Sequence, residues 1–184
     1  GWEDHYWVIS FAAHSSQTEG YKGEAHRKAE GVRLAPQKGM CFIMALIVQK
    51  FGGTSVRDAE RLFNVADIVT STYRAGNDVV VVVSAQGDTT DDLIEKAREI
   101  NKNPSKREMD QLLTAGEQIS ASLLAMAIEQ LGYPVVSLLG WQAGFSTSTA
   151  YGSARIKRVD PERIRAELSR RNIVVVTGFQ GINK

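Results

Sequence analysis

Five consecutive valines at 79–83 constrain this chain more than any other feature. An unbroken β-branched run favours a strand, and a strand apolar at every position must be covered on both faces. Such strands belong to parallel sheets sandwiched between helices. A second stretch agrees. Residues 45–56 read A-L-I-V-Q-K-F-G-G-T-S-V, and helical periodicity starts directly afterwards. That is a buried strand ending in Lys50, a turn at Gly52 and Gly53, and a helix start that Thr54 or Ser55 can cap. Free N–H groups at a glycine turn and helix N-terminus suit an anion, and Lys50 adds a full positive charge. The arrangement fits a phosphate. It equally fits a tight βα turn with a solvated lysine, because short glycine motifs recur by chance.

The rest of the chain repeats the alternation. Val56, Ala59, Leu62, Phe63, Val65, Ala66, Val69 and Tyr73 form a broad apolar stripe, ended by Gly76-Asn77. After the valine strand, Asp88, Thr89 or Thr90 starts a second helix with Leu93, Ile94, Ala97 and Ile100 on its apolar face. Pro104 breaks the chain and Ser105 caps a third helix over 106–131. Its stripe is Met109, Leu112, Leu113, Ile119, Leu123, Ala127, Ile128 and Leu131. Strands follow at 135–139, 155–159 and 173–176. Between the last two, Asp160-Pro161-Glu162 starts a helix whose buried side is Ile164, Ala166 and Leu168. Trp141 reads as packing. The order βαβααβ…αβ predicts an α/β fold, a three-layer αβα sandwich with a mainly parallel, doubly wound sheet.

The chain is 184 residues long, enough for one domain or one domain plus an appendage. Net charge is +1, which gives no electrostatic case for nucleic acid or an acidic membrane surface. The single cysteine, Cys41, excludes an internal disulfide framework and a cysteine-based zinc site. No apolar run reaches the roughly 18 residues that span a bilayer. The start lacks a secretory signal pattern, and a cytoplasmic location is expected. Residues 1–43 lack sustained periodicity and carry all three histidines, His5, His14 and His26, at spacings that match no usual metal site. They are expected to be a disordered or non-native extension, with the domain proper at 44–184.

In an open α/β sheet, ligands bind at the carboxyl ends of strands. Ser84, Asp88, Thr89 and Thr90 crowd the exit of the valine strand. They are either substrate ligands or turn and cap residues. Glu117 follows Gly116 on the third helix and borders its apolar stripe. A carboxylate there costs free energy unless paired. Either it accepts hydrogen bonds from a cationic substrate group, such as an α-ammonium, or it reaches water at the rim.

These residues support a resemblance. M-A-L-I-V-Q-K-F-G-G-T-S-V from Met44, V-V-V-V-V-S-A-Q-G-D-T-T-D at 79–91 and R-E-M-D-Q-L-L-T-A-G-E-Q-I-S at 107–120 resemble aspartate kinases of the amino-acid kinase superfamily. L-L-G-W-Q-A-G-F at 138–145 and T-G-F-Q-G at 177–181 continue the likeness. The lysine precedes the glycines, so this is no Walker A loop. The resemblance implies transfer of the ATP γ-phosphoryl group to the side-chain carboxylate of L-aspartate, opening lysine, threonine and methionine synthesis. It implies that Lys50, Phe51, Gly52, Gly53 and Ser84 contact the nucleotide's phosphates, with Lys50 catalytic. Thr54, Ser84, Asp88, Thr89, Thr90 and Glu117 would hold aspartate, and Glu117 would read its ammonium. Mg²⁺ would come with ATP, with no dedicated protein metal site. The full-length form is expected to be a homo-oligomer.

Two departures stand out. Gln86 occupies a position where many relatives carry Met or a small apolar residue, and Arg57 follows the glycine turn where smaller residues are common. Family members also continue beyond T-G-F-Q-G into a glycine-rich loop and a nucleotide lobe. The chain is therefore expected to be an amino-terminal fragment, inactive alone, with an incomplete sheet and an exposed edge. The alternatives are another acyl-phosphate-forming enzyme, such as acetylglutamate or glutamate kinase, or a catalytically inactive ligand-binding fragment.

Overall fold

The computed structural model describes residues 45–183; the reading of 1–43 as an extension lies outside them. The elements are β1 (Leu46–Phe51), a 3₁₀ turn (Gly53–Val56), α1 (Ala59–Arg74), β2 (Asp78–Val83), α2 (Thr89–Ile100), α3 (Lys106–Gln130), β3 (Val135–Leu138), β4 (Phe145–Thr147), β5 (Ile156–Val159), α4 (Glu162–Ser169) and β6 (Ile173–Thr177). Four strands form one sheet in the order β1-β2-β6-β3. Every pairing in it is parallel, with Val80 opposite Val174 and Val136 opposite Val174 on the other side. β4 and β5 form a separate antiparallel hairpin.

The valine run behaves as its composition requires. Val79, Val81 and Val83 enter one core with Ile173 and Val175 of β6. That core is closed by Leu62, Val65 and Val69 of α1 and by Leu124 and Ile128 of α3. Val80 enters a second core with Val174, Val176 and Leu138, covered by Leu168 of α4 and by Ala143. Fully burying a valine or leucine contributes about 1.5–3 kcal/mol, so the two central strands anchor both layers. The result is the expected three-layer αβα arrangement. α2 packs on α3 rather than on the sheet and buries none of its residues.

Several local expectations are corrected. Neither Thr54 nor Ser55 caps the first helix. A 3₁₀ turn intervenes, and the Asp58 carboxylate accepts from the Arg61 N–H at 2.9 Å. Phe63, Ile119 and Leu123 lie on the outer sides of α1 and α3, Ile100 and Ala166 are exposed, and Trp141 is 54% exposed. The apolar stripes are wider than the surface the sheet covers. Ser105 does cap α3, accepting from the Glu108 N–H. Asp160, two residues before α4, accepts from the Glu162 N–H at 3.3 Å, and Pro161 rather than Asp160 takes the cap position.

At the amino ends of the strands, a polar knot closes the domain. Arg171 adopts φ 61°, an unusual left-handed value for a side-chain-bearing residue. Its N–H reaches the Leu168 carbonyl and the Asn172 N–H reaches the Glu167 carbonyl, the bond pair of a Schellman stop. Its guanidinium meets Asp78 at 2.7 Å and lies over the Tyr73 ring. Glu167, which sequence reading passed over, is buried at 3% exposure. The Asn172 amide chiefly holds its carboxyl below the usual range, burial opposes this, and Arg163 and Arg170 add to the lowering.

Leu124→Ala, at a fully buried position, is expected to lower unfolding free energy by about 2–5 kcal/mol in chemical denaturation. Met126→Ala, two residues on but exposed, should stay within about 0.5 kcal/mol. Equal losses would contradict this assignment of faces.

Candidate functional site

Parallel pairing sends β1, β2, β3 and β6 out at the same end of the sheet, and their exit loops meet there. The loops are 52–53, 84–88, 139–144 and 178–183. The third wall is the first half of α3, and the fourth is the β4–β5 hairpin. All of these except the 139–144 loop line an open cleft of about 1110 Å³, with Gly53, Ser84, Thr90, Glu117, Thr177 and Gln180 among its residues. The hairpin is held on two sides. The Gly152 N–H donates to Asp110 of α3 at 2.7 Å. The Thr147 N–H donates to the Ile182 carbonyl at 2.8 Å, and the Ile182 N–H returns to Phe145 at 3.0 Å.

Close approach dictates glycine at two positions that press against the β2 exit loop. A Cβ on Gly53 would stand 2.5 Å from the Ala85 carbonyl oxygen, so the turn after β1 can press against the exit of β2 only as glycine. The Gly87 N–H donates to the Gly53 carbonyl at 2.9 Å. Gln86 adds to the contact by donating its amide to the Val56 carbonyl at 2.7 Å. Gln86 is thus a bridge between the two loops. The Arg57 side chain packs over Gly87, where a Cβ would lie 3.2 Å from its Cγ. The second glycine is Gly116. A Cβ there would lie 2.8 Å from the Ala85 Cβ, so α3 meets the β2 exit loop at its closest point one residue before Glu117.

Glu117 sits in that contact with 8% exposure. Burial pushes its carboxyl above the usual carboxylate range, while the N–H groups of Glu117 itself and of Ala85 pull the other way. It is the one acid among the described residues that burial raises clearly. A buried carboxylate facing an open cleft is ready to receive a cation or a donor, and costs free energy until it does.

The structure sorts the candidates of the sequence. Gly53, Ser84, Thr90 and Glu117 line one cleft. Lys50 is exposed and stands beside it, its Cα paired with Val82, which lines the cleft. Gly52 leads into the 3₁₀ turn. Phe51 turns its ring into the core, so only its backbone is near the site. Thr54 is exposed and its carbonyl accepts from Arg61. Asp88 is exposed ahead of α2, and Thr89 points its methyl towards Gly116; neither lines the cleft.

Sequence reading missed Thr177, Gln180 and Thr114. Gln180 lies within T-G-F-Q-G, read there only as a continuation of the family likeness. Among the described residues no group of three or more His, Cys, Asp or Glu could hold a metal ion. No helix there is long and apolar enough to cross a membrane.

Comparison with known proteins gives a consistent result. The profile of the Amino acid kinase family matches residues 45–184. The aspartokinase of Bacillus sp. strain MGA3 is 55% identical over 141 residues, covering 77% of this chain and 34% of the relative. That of Corynebacterium glutamicum is 56% identical over the same length, again 77% and 34%. The chain therefore spans about a third of the length of these relatives. Among solved structures, aspartate kinase from Synechocystis superposes with a TM-score of 0.62 at 44% identity, covering 74% of this chain and 22% of that one. E. coli aspartokinase III, solved with aspartate and ADP, gives 0.57 at 21% identity, covering 76% and 41%, and supports the fold alone.

The raised carboxyl of Glu117 makes a stability prediction. Its folded pKa lies above the unfolded one, so the wild type carries no penalty below the unfolded value and loses stability as pH rises through the folded value. Glu117→Gln should leave Tm unchanged at low pH and raise it relative to wild type towards neutral pH. A Tm difference that does not vary with pH would contradict the burial of an ionisable carboxyl.

Proposed function

The chain belongs to the amino acid kinase family, and from that premise we propose that the protein containing it is an aspartate kinase. It transfers the γ-phosphoryl group of ATP to the side-chain carboxylate of L-aspartate, giving 4-phospho-L-aspartate. Residues 44–184 are its amino-terminal, aspartate-binding part. The observation that carries this reading is the cleft where Glu117, buried and acidic, shares walls with Ser84, Thr90 and Gly53. The identity to aspartokinases over the same residues supports it.

Roles follow from chemistry. Glu117 takes the α-ammonium of aspartate, which offsets the cost of burying its carboxylate. Ser84 and Thr90 donate hydroxyl hydrogen bonds to the substrate's carboxylates. Lys50, at the end of β1, balances negative charge on the phosphoryl group in transit. Gly52 and Gly53 let the backbone come close to the same group. Such catalysis is mostly positioning and electrostatics and needs no protein nucleophile.

A glycine turn beside a lysine fits a phosphate. Mg²⁺ would come with the nucleotide, where it would supply charge neutralisation for phosphoryl transfer. Phe51, Thr54, Asp88 and Thr89 support the loops that carry these groups. The activity belongs to the cytoplasm and to lysine, threonine and methionine synthesis.

In the intact protein, Lys50→Ala should lower kcat by about 10²–10³-fold, the scale of one electrostatic transition-state contact. Near-normal turnover would remove Lys50 from the mechanism. Glu117→Ala should act mainly on the KM for aspartate, and an unchanged KM would count against the ammonium contact.

A further inference from the structure

We propose that Gln180 is a positioning residue that sets where the Glu117 carboxylate stands, by tying α3 to the exits of β3 and β6. The proposal rests on the reading of Glu117 as the aspartate-ammonium acceptor.

The Gln180 amide is used at both ends. Its Nε2 donates to the Thr114 carbonyl at 2.9 Å. Its Oε1 accepts from the Thr177 hydroxyl at 2.8 Å, and at 3.4 Å from the Gly140 N–H. The Gly140 N–H also donates to the Thr177 hydroxyl oxygen at 2.9 Å. One side chain thus joins the end of β6, the loop after β3 and the helix that carries Glu117. Gly140 admits this because a Cβ there would lie 2.3 Å from the Gln180 carbonyl oxygen.

Thr114 precedes Glu117 by three residues, so the two share one side of α3 about a turn apart. The helix is therefore held at two neighbouring points. Gly116 rests on Ala85 at the β2 exit, and Thr114 is fastened to Gln180 at the β6 exit. Glu117 lies next to both. The first contact is steric and stops α3 from moving towards the sheet. The second is a directed hydrogen bond and stops it from moving away. A carboxylate that must meet an ammonium at hydrogen-bond distance needs both, because a displacement of even an ångström weakens the contact.

A glutamine suits this task better than its relatives. Glutamate keeps the acceptor for Thr177 and Gly140 but sets a carboxylate against the Thr114 carbonyl. Leucine keeps the volume and loses all three bonds. Gln180 is a separate observation from the ligand contacts proposed above, since it acts on the helix backbone and not on the substrate.

The test uses the intact protein with L-aspartate and ATP. Gln180→Leu and Gln180→Glu should each raise the KM for aspartate roughly fivefold to tenfold, the scale of a lost hydrogen bond, with kcat within about threefold. In a Glu117→Gln background the same changes should move KM by less than about twofold, because the group they position has lost its charge. Thr177→Val, which leaves Gln180 in place but removes the hydroxyl that orients it, should give the same pattern at smaller size.

A second readout does not need turnover. In selectively ¹³C-labelled protein, the Glu117 carboxyl titration should move down towards the ordinary carboxylate range in Gln180→Leu, as α3 lifts and water reaches the group. An equal KM effect in both backgrounds, or a Glu117 titration unmoved by Gln180→Leu, would overturn the proposal. If the wild type fails to phosphorylate aspartate, the functional reading falls, and the titration alone still decides whether Gln180 positions Glu117.

Discussion

The structure depends on the parallel pairing of β2 with β6. Both strands are almost wholly valine and isoleucine, both are covered on two faces, and each serves two cores at once. With β1 and β3 paired parallel to them on either side, all four strands of the sheet exit on the same side. Once it forms, the glycine turn after β1, the loop after the valine run and the T-G-F-Q-G segment have no choice but to meet. The site is thus a consequence of sheet direction, with its polar groups gathered at the carboxyl ends of the strands.

Against that frame of apolar packing, Glu117 is the costly exception. Its carboxyl is buried by the same contact that places it, the seating of Gly116 on Ala85. A glycine directly before a glutamate weakens helix propensity in the middle of α3. Its presence is explained by the close approach, which no larger residue allows. Stability given up at this point is recovered if a cation completes the pocket, which is the pattern expected of a binding group and not of a core residue.

Much of this was legible in the residues. The valine run named its own environment. Ser105 behaved as a helix cap, and Gly53, Ser84, Thr90 and Glu117, singled out on separate grounds, line one cleft, whereas Asp88 and Thr89 from the same strand exit as Ser84 do not. Three kinds of feature were not legible. Which apolar residues of a wide stripe face the sheet depends on helix rotation, so Phe63, Ile119 and Leu123 were misplaced. The 3₁₀ turn delayed the first helix, so the cap moved from Thr54 or Ser55 to Asp58. Long-range polar ties such as Gln180 to Thr114, 66 residues apart, leave no periodic trace. Nor does the tie of Gln86 to Val56, 30 residues apart. A glutamine in a loop reads as solvent-facing until the partner carbonyl is located.

The central claim is that this cleft holds aspartate for attack on a phosphoryl group. The most direct measurement is product analysis of the intact protein with ATP and, in turn, aspartate, glutamate and N-acetylglutamate. Acyl phosphate is trapped as the hydroxamate. The account predicts hydroxamate formation with aspartate and little with the other two. Equal or preferential reaction with N-acetylglutamate, which lacks the ammonium that Glu117 is proposed to read, would contradict it.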